Sequence, residues 1–119
     1  MTADKGAVLV VAPHADDEVL GCGGAIQDHV RRGQKVYVHI VSNRVIDHVV
    51  DPDYIEETKA IAEEVAAMLG VERVFYSDLL DEQLDRLLID VICPIEEVID
   101  ACKPNLVCAP SVGDSDQDH

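Results

Sequence analysis

Residues 8–18 read Val8-Leu9-Val10-Val11-Ala12-Pro13-His14-Ala15-Asp16-Asp17-Glu18. The first five are aliphatic residues without a polar interruption, which predicts a strand that is buried on both faces. Pro13 ends this strand, and one imidazole and three carboxylates follow within five residues. Carboxylates this close repel one another unless a cation neutralises them. The stretch therefore predicts a strand end that holds a metal, a proton or a basic ligand.

Strand and helix patterns alternate along the rest of the chain. Apolar runs predict further strands at 35–42, 71–76 and 105–109, and apolar residues at steps of three and four predict helices at 18–32, 54–69 and 87–102. Pro94 is expected either to kink the last helix or to lie in the first turn of a second one. Strands that alternate with helices form right-handed βαβ units. We therefore expect a single domain over residues 1–119, with an α/β, Rossmann-like, doubly wound parallel sheet of about four strands and helices on both faces.

The composition limits the classes of partner. The chain has 24 acidic and 9 basic residues and a formal net charge of −15, which argues against nucleic acid as a partner. No apolar run approaches the length of a membrane span, about 20 residues. The early apolar run at 6–12 is too short for a signal peptide. The four cysteines lack the spacing of a zinc ribbon or a disulfide framework, and they are expected to be small buried residues: Cys22, Cys93, Cys102 and Cys108. These features predict a soluble, cytoplasmic protein.

Two polar clusters are expected to meet at one end of the sheet. In doubly wound sheets, ligands bind beyond the carboxyl ends of the strands, where the strand order reverses. If the first and fourth strands flank that point, the loops after Ala12 and Ala109 face each other. These loops contain His14, Asp16, Asp17, Asp114, Asp116, Asp118 and His119. Two imidazoles and a carboxylate fit a catalytic zinc, and they fit Fe²⁺ as well. An acidic Mg²⁺ or Ca²⁺ pocket with bystander histidines is a further interpretation.

These residues resemble a known family signature. Residues 13–18 with Leu20-Gly21-Cys22-Gly23-Gly24 are similar to the signature of the LmbE-like (PIG-L) de-N-acetylases, in which His-Pro-Asp-Asp-Glu follows the first strand. Residues 80–85 are similar to the family's acidic segment after the third strand, and residues 113–119 to its second metal motif, which ends in Asp-His. The resemblance covers nearly the whole chain.

The resemblance implies zinc-dependent hydrolysis of an N-acetyl group on an N-acetylglucosamine-type sugar, glycoconjugate or related amide. Carried over position by position, His14, Asp17 and His119 would hold the metal, and Asp16 would be the general base. The substrate-binding residues implied in the same way are Asp81, Lys59 and Asp116. The partner would therefore be a small N-acetylated sugar.

The chain departs from the family pattern in three places. Ala15 replaces the usual proline, and Asp116 stands where many members have a histidine. Family domains continue well past the second motif, so the C-terminal part of the family fold is missing from a chain that stops at His119. The fourth strand would then be an exposed edge through which the protein could form a homo-oligomer.

Two alternatives to an active enzyme follow from the same pattern. The first is a non-catalytic binding or assembly module on the same fold. The second is a Mg²⁺-binding, receiver-like signalling domain, with Asp78 after the third strand as the phosphoacceptor. The receiver interpretation leaves His14 and the Asp118-His119 pair without a role, and the chain lacks the fifth strand and lysine that such a domain needs.

Overall fold

Strands and helices alternate along the chain. The computed structural model describes residues 6–14, 17–43, 50–80, 84 and 88–110, with the backbone alone at 17–22 and at 80. The elements in these residues are β1 (Ala7–Ala12), α1 (Asp17–Arg31), β2 (Lys35–Asn43), α2 (Pro52–Leu69), β3 (Arg73–Leu80), α3 (Leu88–Cys102) and β4 (Leu106–Cys108). This order confirms the predicted alternation.

The strands form one parallel sheet in the order β3-β2-β1-β4. Val8 of β1 lies opposite Val36 of β2 on one side and Leu106 of β4 on the other. Because β1 has neighbours on both edges and layers on both faces, its sequence is apolar throughout. The sheet confirms the predicted α/β, doubly wound fold.

Helices cover both faces of the sheet. One face packs against α1 and α2, and its core consists of Val8, Val10, Ala12, Ile26, Val36, Val38, Ile40, Ala62, Ala66 and Val74. Helix α3 packs against β1, β2 and β3. The connection from β3 to β4 runs back across the sheet, opposite in direction to the two earlier connections. Right-handed crossovers therefore place α3 on the opposite face from α1 and α2.

The ends of α2 show why the helix forms where it does. The Asp51 side chain accepts hydrogen bonds from the backbone N–H groups of Asp53 (3.0 Å) and Tyr54 (3.4 Å), and Pro52 occupies the first turn. Gly70 ends the helix with a φ of 82°, a left-handed conformation that glycine adopts without strain. The helix therefore begins two residues earlier than the apolar periodicity predicts.

Strand β3 differs from its predicted bounds. The sequence predicts a strand at 71–76 followed by an acidic segment, whereas β3 runs from Arg73 to Leu80. Ile40 pairs with Tyr76 and Ser42 pairs with Leu79, so one residue of β2 faces two residues of β3. This β-bulge lets the strand continue through its polar residues.

Other expectations are wrong in detail. Pro94 lies inside a single helix, so the two-helix alternative is wrong. Cys93 is exposed, although it was expected to be buried. In α1, a Cβ added at Gly24 would meet no atom of the described residues within 4 Å. Among the described helices, none has the length and apolar character needed to cross a bilayer.

Candidate metal centre and active site

The candidate site lies where the strand order reverses. The chain moves from β1 to β2 and then to β3 in one direction, and β4 lies on the other side of β1. The carboxyl ends of β1 and β4 are therefore neighbours, as the sequence predicts, and this is where doubly wound sheets bind ligands. Pro13 and His14 follow β1, and Ala109 and Pro110 follow β4.

His14 is buried at this edge, with 2% of its surface exposed. The residue before it is fixed to the neighbouring strand, because the Pro13 carbonyl accepts two hydrogen bonds from Ser42. The backbone N–H of Ser42 donates over 2.9 Å and its hydroxyl over 2.6 Å. Ser42 is itself 3% exposed. The imidazole is therefore attached to backbone that the sheet holds in place, which suits a metal ligand.

Asp17 is the first residue of α1. It follows His14 by three positions, so the helix N-terminus lies directly after the buried imidazole. The exposed backbone N–H groups of a helix N-terminus favour negative charge nearby. The backbone thus brings a histidine and an aspartate position together at the end of β1.

Four of the other predicted site residues lie outside the described residues, namely Asp16, Asp81, Asp116 and His119. Within residues 6–14, 17–43, 50–80, 84 and 88–110, no group of three or more His, Cys, Asp or Glu side chains is placed to hold a metal. The assignments of His14, Asp17 and His119 as ligands and of Asp16 as base therefore stay predictions.

Lys59, predicted to bind substrate, lies on α2 in contact with the end of β3. Its Nζ is 2.5 Å from Oδ1 of Asp78 and 5.1 Å from the ring centroid of Tyr76. Tyr76 lies level with Ala12 at the end of β1, because both pair with Ile40. Since β3 is two strand positions from β1, this part of the rim is about 10 Å from the end of β1. The substrate-binding role of Lys59 stays a prediction.

The strand order argues against the receiver-like alternative. A receiver domain has the flavodoxin-like order, in which the third strand lies beside the first. Here β2 separates β3 from β1, and Asp78 is ion-paired with Lys59. The receiver interpretation is therefore wrong.

A histidine on the α3 face of the sheet takes no part in this edge. His39 of β2 is 1% exposed, and its Nε2 lies 2.6 Å from the Ser77 hydroxyl. Its Nδ1 has no hydrogen-bond partner among the described residues. Burial lowers the pKa of His39, so the imidazole is neutral near pH 7. The sequence predicts a core residue at this position, and the burial agrees.

Sequence reasoning missed Ser42, and it missed the ion pair that joins Asp78 to Lys59. Ser42 is a single hydroxyl at the end of an apolar run, and nothing in the sequence shows that it faces the Pro13 carbonyl. Asp78 has a φ of 58°, and its partner Lys59 is 19 residues away. Both contacts depend on strand order and register, which the sequence does not specify alone.

The fold and this edge define a doubly wound α/β protein with a buried imidazole at its switch point. Its family follows from comparison: the model of the family "PIG-L: GlcNAc-PI de-N-acetylase" matches residues 9–119, and the chain belongs to that family. Among proteins of curated function, none matches the chain.

Solved structures with the same fold include three with known activities. The N,N'-diacetylchitobiose deacetylase from Pyrococcus horikoshii is 24% identical, with a TM-score of 0.78; the match covers 96% of this chain and 45% of that one. A deacetylase of teicoplanin biosynthesis is 19% identical, with a TM-score of 0.81 and coverage of 95% and 58%. The 4-carboxy-2-hydroxymuconate hydratase from Pseudomonas putida KT2440 is 24% identical, with a TM-score of 0.74 and coverage of 96% and 51%. The chain thus spans about half the length of these proteins.

Proposed function

We propose that this chain is part of a zinc-dependent hydrolase that removes the N-acetyl group from an N-acetylglucosamine-type sugar or a related amide. The observation that carries the proposal is the buried His14 at the switch point, which follows Pro13, bonded to Ser42, and precedes the start of α1 at Asp17. Membership of the PIG-L family and the fold shared with two deacetylases support it.

The residues at this edge fit a bound metal. Imidazole and carboxylate are both donors that zinc accepts, and His14 precedes the helix start at Asp17 by three positions. His14, Asp17 and His119 would hold the ion, and the same set accepts Fe²⁺. When bound, the metal would polarise the acetamide carbonyl and make water a stronger acid.

The chain's own residues would move the protons. Asp16 follows His14 by two positions and would accept a proton from the attacking water, then deliver a proton to the departing amine. A carboxylate suits this task because it accepts and returns a proton without leaving the site. Asp81 would accept hydrogen bonds from sugar hydroxyls, and Lys59 and Asp116 would contact the rest of the substrate.

Acetate release tests this function. The zinc-supplemented protein is incubated with N-acetylglucosamine and with N,N'-diacetylchitobiose, and free acetate is measured with and without a chelator. We expect release that the chelator abolishes, and a fall in kcat of about 100-fold or more for Asp16→Asn. Asp28→Asn is the matched control, because Asp28 of α1 forms an exposed ion pair with Arg32, just past the helix end, at 2.9 Å, and this variant should keep full activity.

The same assay distinguishes a hydrolase from a non-catalytic binding module. Zinc binding without acetate release from either sugar would contradict the hydrolase proposal and favour a non-catalytic binding module. The shared fold of the hydratase shows that this architecture also serves another reaction, so acetate itself must be detected.

Self-association and location are part of the same proposal. Leu106 and Val107 of the edge strand β4 are 44% and 43% exposed, which supports pairing of this edge with a second copy. Light scattering after size exclusion should then give a mass near twice 13.0 kDa. The cytoplasmic location stays a prediction from the cysteine spacing, which fluorescence imaging of the tagged protein would check.

A further inference from the structure

His39 lies on the face of the sheet that α3 covers, with 1% of its surface exposed. Its Nε2 lies 2.6 Å from the Ser77 hydroxyl, and its Nδ1 has no hydrogen-bond partner among the described residues. A neutral imidazole carries one N–H group, whereas the protonated ring carries two, and both need acceptors. A proton added to His39 would therefore place a charge and a second donor in a buried site.

The neighbouring strands supply no described carboxylate to balance that charge. Strand β1 is apolar throughout. On β3, the Phe75 ring lies 6.5 Å from the His39 ring, and the Arg73 guanidinium lies 4.5 Å from the centroid of Phe75. On β2, the residues that share a face with His39 by alternation include Lys35 and Tyr37. The charges that these strands place on the face, at Lys35 and Arg73, are both positive.

Helix α3 exposes its carboxylates to solvent, at Asp90, Glu96, Glu97 and Asp100. Its Cys102 is half-buried, and burial raises the pKa of this thiol while Arg73 lowers it, so the thiol is neutral near pH 7. Burial lowers the pKa of His39 itself. The described groups of the strands and of α3 therefore disfavour a charged His39 beneath the helix.

Helix α3 buries little of its own surface. Of its fifteen residues, Val98 alone is buried, whereas Leu88 and Ile89 are 61% and 70% exposed. Pro94 lies inside the helix and lacks the N–H group that would bond to the preceding turn. Strand β4, which follows α3, is three residues long and pairs with β1 as the edge strand. Segments with few buried residues open at a lower free energy than the whole fold.

We propose that protonation of His39 at mildly acidic pH releases α3 and β4 from the sheet, while α1 and α2 stay packed on its other face. In the open form the imidazole lies in water and binds a proton more tightly, so acid favours that form. Because β4 lies beside β1 at the candidate site, the release would also remove one side of that edge. The inference does not depend on the proposed function, since it involves neither a metal nor a substrate.

The size of the effect follows from the ordinary pKa of the imidazole, 6.5, which applies in the open form. Between pH 7.5 and pH 5.5 the open form should gain about tenfold in population, because it binds a proton that the closed form does not. Amides of α3 and β4 should lose the same factor of protection from hydrogen exchange.

Hydrogen exchange measured by mass spectrometry resolves this opening by segment. Protection factors, corrected for the intrinsic pH dependence of exchange, are compared at pH 7.5 and pH 5.5 without added metal. We expect protection over 88–108 to fall by about tenfold and protection over 52–69 to change by less than about twofold. In His39→Gln, which can still bond to Ser77 but does not titrate, the fall over 88–108 should disappear. His39→Leu is a second variant with the same expected result.

His29→Gln is the matched control, because His29 lies on α1 and its Nδ1 lies 2.5 Å from Oε1 of Gln34. This variant should keep the fall over 88–108. The inference is overturned if 88–108 keeps its protection at pH 5.5, if 52–69 loses as much, or if the fall persists in the two His39 variants. Because no substrate or metal is added, failure of the acetate assay and failure of this experiment are separate results.

Discussion

Removing the Ser42 hydroxyl should weaken both the fold and the metal site, by amounts that the structure bounds. Ser42 is 3% exposed, and its hydroxyl donates over 2.6 Å to the Pro13 carbonyl. In Ser42→Ala, this carbonyl keeps the second hydrogen bond, which comes from the Ser42 backbone N–H at 2.9 Å. No buried acceptor is left without a partner, so the full desolvation penalty does not apply.

The expected cost is that of one buried hydrogen bond, about 1 kcal/mol in the free energy of unfolding. For a chain of this size that lowers Tm by about 4 °C. The same change loosens the residue before His14. Mutation of a residue that orients a metal ligand typically lowers the metal affinity by about 10- to 100-fold. Because the hydrogen bond from the Ser42 backbone survives, we expect zinc affinity to fall by about tenfold.

Urea unfolding and a competitive zinc-binding assay measure the two effects. Thr58→Ala is the control, because the Thr58 hydroxyl also donates to a backbone carbonyl, that of Ile55, over 2.8 Å. Thr58 lies on α2, where alanine favours the helix, so stability and zinc affinity should change little. A Ser42→Ala variant with lowered stability and unchanged zinc affinity would refute the positioning of His14 through Pro13.

Three further substitutions test the fold. Gly70→Ala should destabilise the protein by about 1–2 kcal/mol, because Gly70 has a φ of 82° and an added Cβ would lie 2.9 Å from Val30 Cγ1. Gly24→Ala should stabilise it by about 0.5–1 kcal/mol, since that helical position is open; urea unfolding that gives both changes the same sign would contradict this account. Burial lowers the pKa of His39 from 6.5, so the unfolded chain binds the proton first and stability should fall as pH drops below about 6.5. His39→Leu should reduce this loss of stability between pH 7.5 and pH 5. If the free energy of unfolding of the variant depends on pH as before, His39 is not the cause of the loss.

The fold could be predicted because its signals are local. The apolar run of β1 and the periodicity of α2 each lie within one segment, and the right-handed crossover rule then limits the topology. The bulge in β3 could not be predicted, because it depends on the register between β2 and β3. The sequence around Asp78 looks like an acidic loop, although it continues the strand.

The candidate site could be predicted only in part. A histidine and an aspartate directly after a buried strand are visible in the sequence, and the structure places His14 at the switch point, while its role as a metal ligand stays a prediction. The ion pair between Lys59 and Asp78 joins a helix to a strand, and its geometry follows from packing rather than from a motif. Motifs identify the reactive groups, whereas the packing of helices on strands decides which charged side chains pair with one another.

Zinc stoichiometry tests the central claim most directly. The protein, His14→Ala and the control His29→Ala are dialysed against zinc, and bound metal is measured per chain. His29 lies on α1, where its Nδ1 is 2.5 Å from Oε1 of Gln34, so His29→Ala removes an imidazole remote from the site. We predict about one zinc per chain for the protein and for His29→Ala, and almost none for His14→Ala. Equal zinc in His14→Ala, or none in the unaltered protein, would contradict the account.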